Sequence, residues 1–298
     1  MGLYKKFLRR YDDFYRRYLS LRQDNWEHYT RFYPLVVEHV MGYLSHPVFG
    51  PVLRRLFRFE GEGHHAEACI VPIQYNLEFS SDNKNMVMPI QRLREAVEES
   101  SYRIIMHRCI CRDSFKCNHF PIDFACLMLG EACRTMVGHG IARYATVEES
   151  LAHLERAAEL GLVAIPAWTE MESIAKGIPE ENKDKYIEIC FCCPCCCNGM
   201  KNFKKWNEVP QLRKLFKNVG WQARASEACI GCGICAGTCP MDAIVVGEDR
   251  IARTGDSCIG CGLCAFRCPE GAIVMEEIEP MKEHILDYFG DARPQIQG

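Results

Sequence analysis

Long apolar runs are missing from this 298-residue sequence. A bilayer span needs about 20 predominantly apolar residues in succession; the best stretch, YPLVVEHVMGYL at 33–44, is interrupted by Glu38 and His39. No transmembrane helix is expected. The basic start MGLYKKFLRR continues into YDDFYRRYLS, not into an apolar core and a small-residue cleavage site, so no secretory signal is read. Lys6 stands where acylation of Gly2 would need Ser or Thr. A Walker-type phosphate loop and a dinucleotide fingerprint are also missing, which argues against nucleotide, nicotinamide and flavin. No nucleic-acid-binding module is recognised, so no nucleic-acid partner is expected. A cytoplasmic protein is the resulting expectation.

Cysteine, by contrast, is abundant. The chain has 20 of them, with 48% hydrophobic residues to build a core. In a reducing compartment such a count indicates bound metal more than a disulfide framework. The net charge of −3 conceals an uneven distribution. Residues 1–60 carry 11 Lys+Arg against 6 Asp+Glu, giving +5, and residues 226–298 carry 5 against 12, giving −7.

From Tyr4 to about Leu44 the periodicity predicts a basic, aromatic, amphipathic helix. Tyr4, Phe7, Leu8, Tyr11, Phe14, Tyr15 and Tyr18 recur at three- and four-residue steps, and Lys5, Lys6, Arg9, Arg16 and Arg17 take other faces. It could dock on the body of the protein, bind a partner subunit, or lie on an anionic membrane through residues 4–20. SHPVFGP ends it, and EGEGHH near residue 60 reads as a loop. Beyond the loop, Pro89 opens a helix with Ile90, Leu93 and Val97 inward, and IIM at 104–106 predicts a strand running into Cys109. Thr146 and Glu149 form a capping box for a helix with the stripe Val147, Leu151, Leu154 and Ala158, ended by Gly161. Met281, Ile285, Leu286 and Phe289 predict a closing helix.

The last segment holds an internal repeat. CIGCGICAGTCPMDAIVV from Cys229 returns 29 residues later as CIGCGLCAFRCPEGAIVM from Cys258. Each half reads C-x2-C-x2-C-x3-C-P, the run that wraps three corners of a cubane cluster and sends its fourth cysteine to the other one. The assignment is therefore Cys229, Cys232, Cys235 and Cys268 for one cluster, and Cys258, Cys261, Cys264 and Cys239 for the second. Zinc on the same thiolates fits less well, because zinc sites favour separated ligand pairs. Residues 226–276 resemble two-cluster [4Fe-4S] ferredoxins. That resemblance implies a ferredoxin-like domain with pseudo-twofold symmetry and two [4Fe-4S] clusters that relay electrons.

The middle of the chain adds Cys109, Cys111 and Cys117 in CICRDSFKC, then Cys126 and Cys133, and finally Cys190, Cys192, Cys193, Cys195, Cys196 and Cys197 in CFCCPCCC. Ionising so many neighbouring thiols is opposed by mutual repulsion unless a cation binds them. One tetrahedral ion or one cubane takes four ligands, so these residues allow two sites or one enlarged cluster. Adjacent cysteines cannot all turn to the same ion. The expected pairing brings Cys109, Cys111 and Cys117 to part of 192–197. One or two further iron–sulfur clusters, zinc, and free or disulfide-forming thiols are the alternatives. Cys69 and Cys133 read as small buried hydrophobes. Arg112, Lys201, Lys204 and Lys205 either offset cluster charge or form a solvated basic face. His64, His65, His107 and His119 are not expected to be ligands.

Across residues 70–200 the succession VPIQ, VMPIQ, HRCICR, FACLMLGEA and CCPCCC resembles an uncharacterised family of cysteine-rich iron–sulfur proteins of anaerobes, which place C-x-C-R before C-C-x-C-C-C. The vicinal Cys192–Cys193 pair also resembles heterodisulfide-reductase-type proteins, but their long spacing between two cysteine-rich repeats is absent. The expected architecture is α+β: a helical segment over 1–66, a cysteine-rich α/β domain over 67–225 and a ferredoxin-like domain over 226–298. The expected role is electron transfer between the tail and a metal centre in the middle, serving a redox partner protein or a multi-subunit oxidoreductase complex. A reductase with its active site at the middle cysteines, and a redox or metal sensor, are the competing readings.

Overall fold

A computed structural model of the chain describes residues 9–57, 59 and 66–297, without the side chains of residues 291 and 292. The start of the expected N-terminal helix at Tyr4–Leu8, most of the expected EGEGHH loop, and His64 and His65 lie outside the described residues. The strands in chain order are β1 (Ala66–Ile70), β2 (Phe79–Ser80), β3 (Arg103–Met106), β4 (Leu127–Leu129), β5 (Ala142–Tyr144), β6 (Val163–Thr169), β7 (Ile187–Cys192), β8 (Phe216–Asn218), β9 (Trp221–Ala225), β10 (Ile244–Val246), β11 (Ala252–Thr254) and β12 (Ile273–Glu277).

Seven of these form one sheet in the order β5-β3-β4-β7-β6-β1-β8. Its pairs are antiparallel except β1 with β8. Side chains alternate across a strand, and the alternation sorts the core into two layers. Ala68 and Ile70 of β1, Val163 and Ile165 of β6, and Cys190 and Cys192 of β7 share one layer. It is closed by Met200, Phe203 and Trp206 of the Asn198–Asn207 helix and by Met241, Ile259 and Leu263 from the tail. Cys69, Ala164, Ile189 and Phe191 belong to the other layer, closed by Leu93 and Val97 of the Pro89–Glu99 helix, Leu154 and Ala158 of the Val147–Glu159 helix, and Phe289.

Local signals explain both helices of the second layer. Pro89 sits in the first turn after an extended Met88, where a missing N–H costs nothing. In the capping box Thr146 Oγ1 accepts from the Glu149 N–H at 3.2 Å, and the Glu149 carboxylate accepts from the Thr146 N–H at 2.9 Å. Gly161, at φ +70°, ends that helix. The buried stripe differs from the expected one. Ser150, Leu154, Ala157 and Ala158 are buried, whereas Val147 and Leu151 are only half-buried at its edge. Leu154→Ala is expected to cost about 2–5 kcal/mol by opening a void between helix and sheet, measurable by urea denaturation.

The N-terminal segment departs from a single long helix. Residues 9–19 are helical, the chain breaks between Ser20 and Asn25, and helix resumes at Trp26–Leu35. The Asn25 side chain accepts from the Arg22 N–H and donates to the Ser20 carbonyl, and the Leu21 N–H donates to Ala175 O, so the break satisfies its own polar groups. Tyr11, Phe14 and Tyr18 are exposed, while Arg16 is buried against Glu180 at 2.6 Å. An ion pair to the body therefore orients this helix, overriding its aromatic stripe. The Trp26–Leu35 helix packs on Ile110–Ser114, with Trp26 Nε1 donating to Asp113 at 2.6 Å. The expected closing helix is a 3-10 segment, Ile285–Ala292, interrupted at Gly290 (φ +53°), although Ile285, Leu286 and Phe289 are buried as its pattern requires. Among the described residues no helix is long and apolar enough to cross a membrane.

In the tail, β9 pairs antiparallel with β12, and β10 with β11. The short β2 joins β12 in parallel and stitches the tail to the middle of the chain.

Candidate metal centres

Two loops of the tail carry its eight cysteines, and each loop ends in a short helix, Ile234–Thr238 and Leu263–Phe266. The equivalent glycines share a left-handed backbone: φ is +69° and +67° at Gly231 and Gly260, and +80° and +76° at Gly233 and Gly262. A side chain at Gly260 would place its Cβ 2.4 Å from Trp221 O. Glycine is thus needed both for curvature and for close approach. Cys229, Cys232, Cys235 and Cys268 line one cavity. Cys239 lies instead beside Cys258, Cys261 and Cys264. Each fourth cysteine accepts a backbone N–H, Cys239 from Ala243 and Cys268 from Ala272, both at 3.3 Å. The first quartet is the outer one, with Cys232 exposed; in the second, Cys261 and Cys264 are buried.

The middle cysteines separate into two groups, and β7 is the reason. Glu188, Cys190 and Cys192 point to one side of the sheet, and Phe191 and then Cys193 to the other. Six sulfurs form a chain, Cys190, Cys192 and Cys197 from the first layer and Cys109, Cys111 and Cys126 from the second. Cys126 lies 3.5 Å from Cys190, whose other thiol neighbour is Cys192; Cys192 is 3.0 Å from Cys197, and Cys111 neighbours both Cys197 and Cys109. Glu188 accepts from Cys190 at 3.3 Å at one end, and Tyr33 reaches Cys111 at 3.6 Å near the other. On the second side Cys117, Cys193, Cys195 and Cys196 have all their sulfurs within 4.8 Å of one another. Cys109, Cys111 and Cys117 do meet the 192–197 run, but Cys117 joins a different group from the first two. Cys69 and Cys133 are fully buried, with Cys133 donating to Leu129 O.

Burial and neighbouring thiols hold most of these groups protonated when no cation is present. Hydrogen bonding among neighbouring thiols, followed by burial, leaves Cys126, Cys190 and Cys192 well up, and Cys111 at about 12. Two depart from this: hydrogen bonds with Cys111 and Cys192, and the Met200 N–H at the start of the Asn198–Asn207 helix, hold Cys197 well below the usual thiol range, and burial of Cys117 is outweighed by the His119 and Phe120 N–H groups, which hold it below that range. A cation that replaces the protons must therefore release several of them.

Arg112 is the buried countercharge. It is 1% exposed, donates to Phe191 O and Phe124 O, and faces Cys109, Cys193, Cys126 and Cys192. Its Nε has no partner among the described residues. Lys201, Lys204 and Lys205 are exposed, with Lys201 over the Phe115 ring and Lys204 paired to Asp242 of the tail, so the solvated reading applies to them. His107 and His119 are exposed, outside both groups of ligating atoms found among the described residues. Sequence reasoning missed Glu188 and Lys176. Lys176 is buried against Glu188; burial opposes its charge, but Glu172 and Glu188 outweigh that and raise its pKa well above the lysine range. The alternation in IEICFC was the signal that placed Glu188 on the face of Cys190 and Cys192.

The family model described as a 4Fe-4S dicluster domain matches residues 223–275. The match begins within β9 and ends within β12, so it takes in both cysteine loops and the hairpin between them. No curated protein and no solved structure matches the chain. The C-terminal part is a dicluster iron–sulfur domain, and the cysteine groups of the middle segment add further metal-binding capacity. Together they indicate iron–sulfur electron transfer.

Proposed function

We propose that the protein carries electrons between the outer tail quartet and a polynuclear iron–sulfur centre held by the six-sulfur group. Cys229, Cys232, Cys235 and Cys268 would hold one [4Fe-4S] cluster, and Cys258, Cys261, Cys264 and Cys239 the other. Cys109, Cys111, Cys126, Cys190, Cys192 and Cys197 would hold the third centre. When bound, these groups supply one-electron carriers. The outer tail quartet lines a cavity under its glycine-bearing loop, and six sulfurs strung in a row exceed what one tetrahedral ion can use; Cys192 and Cys197, 3.0 Å apart, would have to separate to admit iron and sulfide.

The observation that carries the reading is a single apolar cluster that contains Cys261 together with Cys192 and Cys197. Close-packed side chains there exclude water from the interval between the inner tail quartet and the middle sulfurs. Cys109, Cys192 and Cys197 are buried and Cys111, Cys126 and Cys190 partly so, which favours a relay over a reductase, since a reductase needs an open ligand position beside a substrate pocket. Exposed Ile230 and Ile234 beside the outer quartet, in a segment of net charge −7, suit a redox partner with a basic docking face. The likeness of residues 70–200 to cysteine-rich proteins of anaerobes agrees with oxygen-poor conditions.

The test uses Cys261→Ser, with freeze-quench EPR following a low-potential donor added to the anaerobic protein. Reduction of the middle centre should slow by more than about tenfold, the effect of about 1.4 kcal/mol of added barrier. An unchanged rate would mean that electrons do not enter through the tail.

A further inference from the structure

The four sulfurs on the far side of β7 have a different geometry from the six. Cys117 lies 3.7 Å from Cys195, and Cys195 lies 3.6 Å from Cys196. With Cys193 they close on one point, every sulfur within 4.8 Å of every other. Four thiolates at about 2.3 Å from one tetrahedral ion stand about 3.8 Å apart. A cubane places four irons and four sulfides between its thiolates and needs much wider spacing. In neither tail quartet do the four sulfurs all lie within 4.8 Å of one another.

We infer that Cys117, Cys193, Cys195 and Cys196 form a mononuclear site that binds one divalent ion in a closed S4 shell. Zinc and ferrous iron share this chemistry. Two polar groups lie close to these sulfurs. Backbone N–H groups of His119 and Phe120 point at the Cys117 sulfur, and Arg112 faces Cys193. The ligands alternate along the sequence with those of the six-sulfur group: Cys117 follows Cys109 and Cys111, and Cys193, Cys195 and Cys196 fall between Cys192 and Cys197. An ion bound here cross-links the turn after β7 to the loop after the Ile110–Ser114 helix. It thereby fixes the two chain segments that present Cys109, Cys111, Cys192 and Cys197. With all four positions filled by sulfur it has none open to substrate.

This inference rests on the electron-transfer reading only in leaving the six-sulfur group to the polynuclear centre. Its test reads metal stoichiometry and coordination, not electron flow, so the two can fail separately. X-ray absorption at the zinc and iron edges of the anaerobic wild-type chain, with zinc, iron and acid-labile sulfide counted per chain, should be compared with Cys195→Ser. The expected result is one ion per chain unaccompanied by labile sulfide, lost in Cys195→Ser while labile sulfide stays constant. A zinc edge with four sulfur neighbours and no metal–metal scattering identifies zinc. If the lost equivalent is iron without loss of sulfide, the ion is ferrous. Loss of iron and sulfide together, or no metal lost, would overturn the mononuclear site. Should Cys195→Ser fail to fold, the wild-type count decides: every metal ion matched by labile sulfide refutes the inference.

Discussion

Cys239→Ala should remove the [4Fe-4S] cluster of the loop that starts 19 residues downstream and spare the one in its own loop. The cause is the crossed arrangement of the tail. Cys239 lies against Cys258, Cys261 and Cys264, whereas the cavity bounded by Cys229, Cys232 and Cys235 is completed by Cys268. About half of the tail's roughly 8 irons should be lost. Cys268→Ala should give the mirror result, sparing the inner cluster. Spin quantitation by EPR in the two variants distinguishes the outcomes, because the outer cluster has an exposed ligand in Cys232 and the inner one is buried. Exposure and N–H bonds to sulfur both tune reduction potential, so the surviving signals should differ in potential. If Cys239→Ala stripped its own loop instead, the ligand exchange between halves would be refuted.

Arg112→Met should be the most damaging single change outside the cysteines. The guanidinium is fully buried between the two sulfur groups, anchored by the carbonyls of Phe191 and Phe124. Without it, thiolates on both sides of β7 lose their shared countercharge. Breaking a buried charge pairing typically costs about 3–5 kcal/mol, and urea denaturation of the metal-loaded protein reads that loss. The Nε, without a partner among the described residues, could offer an N–H to a sulfur of a bound cluster. Its loss should therefore also lower the potential of the middle centre, since a buried positive charge and a hydrogen bond both favour the reduced state. A redox titration in which the potential is unchanged or raised would show that Arg112 serves the fold alone.

Legibility differed sharply along the chain. The tail could be read because its ligands are contiguous: two short loops at a 29-residue offset carry all eight cysteines, and the backbone demand is visible as Gly231, Gly233, Gly260 and Gly262. The capping box at Thr146 and the proline start at Pro89 are equally local, and both stand in the structure. The middle cysteines are legible as enough ligands for two sites, but not in which sulfur joins which group. Their division depends on Cys190 and Cys192 belonging to β7, with Cys193 turned to the opposite side, and on β4 bringing neighbouring Cys126 to Cys190. That is sheet register, which no spacing rule on CFCCPCCC reports. The N-terminal aromatic stripe misled for a related reason. Tertiary contacts from Arg16 to Glu180 and from Trp26 to Asp113 set the orientation of the segment, and neither acidic partner is near in sequence.

The most direct test of the whole account is a count of iron and acid-labile sulfide in the anaerobically purified chain, set beside the same count for Cys192→Ala. Iron–sulfur conduction through a third centre predicts more than about 8 irons in the native protein, with the excess iron and its sulfide gone from the variant and the tail's share intact. About 8 irons in both proteins, with zinc or protons on the six sulfurs, would contradict it.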